Sequence, residues 1–585
     1  MTPANDAFVR AARLAELPAG GCLAVQVGGH TVALCRTGDR VFAVDNRCPH
    51  MGFPLHRGTV ADGILTCHWH HARFDLATGG TFDQFADDVP SFAVELRGDE
   101  VWIDLRPPGE PSAHARRRLE VGLERDIPLV LAKAALALVD GGQPAAEPFR
   151  TGLDFGVRQR RGGWGQGLTI HTCMLNLLPH LDPDERPRAL YHGLAAVAAD
   201  TRGAPPRFPI DPLPRAPRDP AVLKRWFRQF VEVRDEEGTE RCLVSALTTG
   251  VGPIQVADML FAAATDHRYL DVGHTLDFTN KALEALDVAG WERAPAVLGS
   301  LSHGFTAAAR MEESNAWRHP IDLVDLLAEA FEVLPQAVEA GRPHRGTWQP
   351  DGSLVPVLLG DDPAAIVGAL LEALRQGAGA EELASTVAYA AARRIAQFPE
   401  TNEFTDWDTA LHTFTFANAV EQGLRRAPSP ELLRGVFDAA MSVYLDRFLN
   451  VPPARLPGPG GGAADVEERL AALPVLLDQQ HRVTEAAGAV AGYLQGGGEA
   501  DRLLAMLGRL LLREDRNFHT IQAVEAAFRQ FGRRRGTVEG MHVLVAAARY
   551  LAAHAPTMRA QGQTYQIARR FARGEPLFEA EGESP

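Results

Sequence analysis

Two short segments constrain this chain more than any other feature. Cys48-Pro49-His50 and Cys67-His68-Trp69-His70 each place one thiol and one imidazole side by side, and a hairpin's length of chain separates them. Turn-forming residues follow both, Gly52 and Pro54 after the first pair and Thr78-Gly79-Gly80 after the second, so the four side chains are offered from two loops. Such a set binds metal. A zinc ion is the rival occupant, but zinc sites space their ligand pairs more widely than Cys-x-His.

The surrounding chain reads as short β-rich runs. Cys22–Val27, Thr31–Cys35 and Val41–Val44 are separated by Gly28-Gly29 and Thr37-Gly38-Asp39, and a last hairpin joins Phe92–Leu96 to Val101–Leu105. This is the spacing of a small antiparallel barrel or sandwich. Residues 1–106 with these motifs resemble the Rieske domains of ring-hydroxylating oxygenases, their ferredoxins and nitrite reductase small subunits. The likeness runs from about Phe8 to Leu105 and includes Val89-Pro90, which matches the proline loop that covers the cluster in that family. The resemblance implies a [2Fe–2S] cluster in which Cys48 and Cys67 hold one iron and His50 and His70 the other. Phe53 and Trp69 stand where high-potential relatives carry an extra disulfide, so a low-potential, oxygenase-type carrier is implied. His68 and His71 read as loop histidines, His71 standing where the family has glycine.

Prolines in Arg106–Pro111 end the ladder. Residues 107–118 read as a linker, and residues 119–585 as a large all-α domain, rich in Ala, Leu, Glu and Arg at helical spacing. The fold class is therefore multidomain, a small all-β domain followed by a large all-α one. A flexible loop is expected at Pro457–Ala463 and a frayed tail at Phe578–Pro585. The net charge of −15 disfavours nucleic-acid binding, and the run Arg116–Arg118 reads as a solvated helix start. Only two of the six cysteines lie beside histidines, no disulfide framework is needed, and no signal or membrane span is visible, so a reducing cytoplasm is expected.

In the helical part, Asp266–His274 reads as largely continuous helix, which would set His267, Asp271 and His274 on one face at i, i+4 and i+7. Two imidazoles and a carboxylate suit a mononuclear Fe(II) with open positions for dioxygen. His171, His192, His412 and His519 are further helix-borne histidines, of which His192, His412 and His519 join the candidate ligand set. Their order resembles the questin oxidase-like family of helical non-haem iron oxygenases. Leu411-His412-Thr-Phe-Thr415 resembles its His-Ala-Val-Thr helix, His519-Thr-Ile-Gln522 its His-Val-Ile-Lys helix, and His267 its central histidine; where that family has a lysine, this chain has Gln522. His303, His319 and Glu312–Asn315 read as structural or as outer partners of the ligands. The cluster Gly162-Gly-Trp-Gly165-Gln-Gly167 follows charged residues instead of a buried strand, so it reads as a loop into the helix bearing His171 and not as a nucleotide motif.

The function expected is an oxygenase in which the cluster feeds electrons to the helical iron. The expected partners are a separate NAD(P)H-dependent reductase or ferredoxin, a small organic substrate, aromatic or polycyclic, and dioxygen. Oligomer formation is allowed; neither nucleic acid nor membrane takes part. The alternative is an electron carrier whose helical domain is a docking scaffold without a second metal.

Overall fold

The computed structural model describes residues 7–83, 85–106, 111–350, 352–458, 466–573 and 575. The expected loop 457–463 lies largely, and the expected tail 578–585 wholly, outside the described residues, as do 107–110 of the linker. The chain divides into two compact units: residues 1–148 with 561–585, and residues 149–560.

Among the described residues of the first unit, nine strands form two sheets. Strands β1 (Phe8–Arg13), β2 (Cys22–Val27), β3 (His30–Thr37), β4 (Arg40–Asp45), β8 (Ser91–Arg97) and β9 (Glu100–Asp104) run in the order β1-β9-β8-β4-β3-β2. A smaller sheet holds β5 (Thr59–Ala61), β6 (Ile64–Thr66) and β7 (Arg73–Asp75). Every pair is antiparallel. Alternation along β3 feeds two cores: Val32 and Leu34 pack with Val41, Val101 and Ile103, whereas Ala33 and Cys35 face Cys48, Leu55, Cys67 and Phe74. The second core is the floor under both ligand loops. Cys22 and Cys35 stand directly opposite across β2 and β3 and are joined by a disulfide that the sequence reading did not anticipate. Helices Pro111–Arg125 and Pro128–Asp140 also belong to this unit, so it extends well past Leu105.

Among its described residues the second unit contains helices and no strands. At its centre His274–Ala289, Phe404–Arg426 and Phe518–Arg533 pack together, flanked by Gln166–Leu177, Arg186–Thr201, Ala380–Ala396 and Val538–Ala553. Small buried residues such as Ala282, Ala417, Ala419, Ala523 and Ala526 let the central helices approach closely. Their starts are fixed by side chains: Asn517 accepts the N–H of Thr520, and Asp406 reaches back to the N–H of Glu403. The Gly162–Gly167 loop enters the helix bearing His171, as read from the sequence. Gly163 (φ +70°) lies against Ser300 O, where any side chain would collide, and Trp164 N donates to Ser300 O. Among the described residues no helix is long and apolar enough to cross a membrane.

Candidate metal centres

The first centre is built from two loops with the same plan. In one, Cys48 N donates to Phe53 O and the chain turns through Gly52 (φ +78°). In the other, Cys67 N donates to Ala72 O and the turn is His71 (φ +60°), four residues after its cysteine just as Gly52 is. A histidine thus adopts the left-handed geometry that glycine takes in the sister loop. Each thiol accepts backbone N–H groups from its own loop, Cys48 from His50 and Met51, Cys67 from Trp69 and His70. These donors favour thiolate. The two thiols also share a hydrogen bond, which pulls Cys67 down and pushes Cys48 up.

The cysteines are buried, at 2% and 1% exposure, while His50 is half-buried and His70 exposed. The imidazoles pair with each other, ring centroids 4.7 Å apart. Burial holds His50 below its ordinary range, as an uncharged ring with a lone pair, and its buried Nδ1 has no hydrogen-bond partner. Thiols paired at the buried end and imidazoles paired at the outer end form a donor set with two poles, which fits a two-iron core better than one ion. Trp69 and Phe85 are exposed beside the histidines, Phe85 edge-on to His50 at 5.1 Å, and Phe53 packs on Trp69 across the loops at 6.2 Å.

The helical unit brings together three of the candidate ligands. His274, His412 and His519, each from a different central helix, offer nitrogens that all lie within 4.8 Å of one another. His412 Nε2 and His274 Nε2 are 3.1 Å apart. Burial and the neighbouring imidazoles lower His274 to about 3 and His412 to about 4, so both present lone pairs at neutral pH. Asp408 Oδ2 lies 3.3 Å from His519 Nδ1 and accepts the Tyr550 hydroxyl on Oδ1 at 2.6 Å, leaving Nε2 for the cluster. A carboxylate fixing the outer nitrogen of an imidazole is characteristic of metal ligands.

The helix read through Asp266–His274 is broken. Tyr269, Asp271, Val272 and Gly273 all have positive φ, and the helix starts at His274. His267, Asp271 and His274 therefore share no face. Two ion pairs and a backbone hydrogen bond lie along the break: Asp266 to Arg228 at 2.5 Å, Arg268 to Asp438 at 2.8 Å, and the backbone N–H of Asp271 donating to Ala309 O at 2.8 Å. His267 is held between Glu312 at 2.5 Å and Glu232 at 2.7 Å, away from the imidazole cluster. His192 is buried apart from it, as is His171, whose Nε2 meets Phe149 O. Asp271 does not join the three imidazoles, but it lines a 240 Å³ cavity together with His274 and the Gly162–Gly165 loop. On the other side of the turn, Tyr269, Val272 and His412 line a 490 Å³ chamber with Trp317, Ile321 and Phe448. Its polar features include Thr413 and Asp446, whose carboxyl burial pushes up to about 7.

Gln522 Nε2 is hydrogen-bonded to Asp277, whose carboxyl burial raises to about 8. This pair is the second rung of a polar ladder between the two helices. His274 stacks on His519 at 6.0 Å; one turn on lie Asp277 and Gln522, then Lys281 and Glu525 at 2.7 Å, then Glu284 and Arg529 at 3.2 Å. Sequence reasoning passed over Asp408 and Asp277. The available signal was helical spacing, Asp408 four residues before His412 and Asp277 three after His274.

Residues 7–93 match the Rieske [2Fe–2S] domain family. The ferredoxin component of a naphthalene 1,2-dioxygenase system from Pseudomonas aeruginosa is 30% identical over 102 residues, 17% of this chain and 98% of that protein. The ferredoxin component of a biphenyl 2,3-dioxygenase from Rhodococcus jostii (strain RHA1) is 32% identical over 92 residues, 15% of this chain and 85% of its own length. Among solved structures, the ferredoxin of carbazole 1,9a-dioxygenase from Nocardioides aromaticivorans IC177 matches at 30% identity and a TM-score of 0.17, covering 17% of this chain and 98% of that one. Through its N-terminal domain, the chain belongs to the Rieske [2Fe–2S] family, and its relatives there are ferredoxin components of dioxygenase systems.

Proposed function

We propose that this protein is a Rieske oxidoreductase working as an oxygenase, with a cluster held by Cys48, His50, Cys67 and His70 and a mononuclear iron held by His274, His412 and His519. The observation that carries the reading is the convergence of three half-buried imidazoles from three helices, two of them kept uncharged by their surroundings, beside the apolar chamber. A Rieske cluster supplies one-electron transfer, and a mononuclear iron with open positions supplies dioxygen activation.

The chain's own residues do the rest. Backbone N–H groups in the two loops stabilise the thiolates, and the outward imidazole edge of His70 offers the way in or out for electrons. Asp408 fixes the ring of His519. The walls at Trp317, Ile321 and Phe448 hold an organic substrate, for which an aromatic or polycyclic body is the best fit, and Asp446 with Thr413 gives it a hydrogen-bonding end. Asp271, in the smaller cavity, is the nearby carboxylate that can add negative charge beside His274. Electrons come from a separate NAD(P)H-dependent reductase or ferredoxin.

Anaerobically reconstituted protein is expected to hold about three irons per chain, two in the cluster and one at the imidazoles. His412→Ala should remove one of them and abolish oxygen consumption, whereas His267→Ala should leave all in place. Two irons in the parent protein, unchanged by His412→Ala, would reduce it to an electron carrier with a helical scaffold.

A further inference from the structure

The two helices that follow the β domain reach the first ligand loop and the proline loop of the N-terminal cluster site. Lys133, on the helix Pro128–Asp140, sends its ammonium into the first ligand loop and donates to Pro49 O at 2.6 Å, between Cys48 and His50. It is largely buried, with its Nζ 4.3 Å from the centre of the Phe571 ring. The other charges near it are accounted for. Asp87, in the proline loop, is 3.8 Å from Lys133 but is engaged more closely by Arg118 at 2.5 Å. Arg47 is paired with Asp45 at 3.0 Å. Lys133 is therefore the cation here whose nearest carboxylate is already taken by another. Its charge reaches both ligands of the loop, and it contributes to holding His50 below its ordinary range.

We propose that Lys133 sets the reduction potential of the cluster, raising it by placing an uncompensated positive charge against the Cys48–His50 loop. Reduction adds one electron, and hence one negative charge, to the cluster. A fixed cation at this distance, in a medium of low dielectric, stabilises the reduced form more than the oxidised one. The electron comes from an external one-electron donor, and Lys133 neither gains nor loses a proton in the step. Burying an ammonium is costly, and packing alone would be served as well by methionine. This inference rests on the cluster reading above but is independent of the helical iron.

The test is a spectroelectrochemical titration of the full-length holoprotein, using dithionite as reductant. Lys133→Met is expected to shift the one-electron equilibrium toward the oxidised form about tenfold, which is 59 mV downward. Lys133→Arg should retain most of the parent potential. Asp87→Asn removes the neighbouring negative charge and should move the potential upward. A role limited to tethering the loop would give both Met and Asn variants shifts of the same sign, or none. A shift under twofold in Lys133→Met with an intact cluster spectrum overturns the proposal. If that variant fails to assemble its cluster, Lys133→Gln and the sign of the Asp87→Asn shift decide instead. Failure of the parent chain to take up any cluster would overturn the ligand assignment itself, a different result from an unshifted potential.

Discussion

Asp408→Asn offers the sharpest probe of the helical centre, because it keeps the shape of the side chain and removes only its charge. Asp408 touches no cavity-facing nitrogen; it acts through His519 Nδ1 at 3.3 Å, and is itself held by Tyr550 at 2.6 Å. Losing such an outer partner costs metal affinity about 10- to 100-fold, or about 1.4 to 2.7 kcal/mol. The contact lies at the long end of hydrogen-bonding distance, so the lower bound, about tenfold, is expected. Cobalt(II) uptake by equilibrium dialysis with elemental analysis measures this directly, since cobalt is distinguishable from the cluster's iron. His412→Ala should abolish uptake at the same concentrations, and Tyr550→Phe, one step further out, should weaken it less than Asp408→Asn. Unchanged affinity in Asp408→Asn, or equal losses in His267→Ala and His412→Ala, would refute the assignment of the three imidazoles.

Two further outcomes follow from buried charges. Lys281→Met leaves Glu525 and Glu284 to share the single cation Arg529 in the core and should destabilise the helical unit by about 3 kcal/mol, the low end for a broken buried pair, in urea unfolding, with part of the loss recovered when Glu525→Leu is added. His171 and His192 are pushed down by burial to about 4 and about 3. Below pH 6.5 the unfolded chain takes up protons that these native rings refuse, so stability falls as pH drops from 6.5 toward 4. At pH 5 each ring costs about 2 kcal/mol. Urea midpoints at pH 7 and pH 5 should converge in His192→Leu relative to the parent; an unchanged gap would contradict the assignment.

The cluster loops were legible because their chemistry is local: ligand, turn residue and hairpin all fall within a few dozen consecutive residues. Strand β1 was missed because Phe8–Arg13 mixes charged and apolar residues, and its pairing to β9 is made at the far end of the domain. The disulfide is a fact of register, since only the pairing of β2 with β3 sets Cys22 against Cys35. The helix break was hidden for a related reason. Gly273 alone signalled it, while the left-handed turn at Tyr269, Asp271 and Val272 is imposed by partners distant in sequence, Arg228, Asp438 and Ala309. His412 and His519 could be nominated by resemblance, yet their meeting with His274 belongs to tertiary packing. His267 had the better local pattern, but its ring is held between Glu312 and Glu232 and does not join the three imidazoles.

The paired rungs between the His274 and Phe518 helices fix how those helices are indexed against each other. Four successive cross-links, spread over ten residues or about 15 Å of axis, keep the same offset to within one residue. Sliding one helix by a turn would mismatch every one of them at once. The separation of His274 and His519 is thus dictated in part by an ion pair two turns away, and substitutions at Lys281 or Glu525 can shift that spacing without approaching the imidazoles.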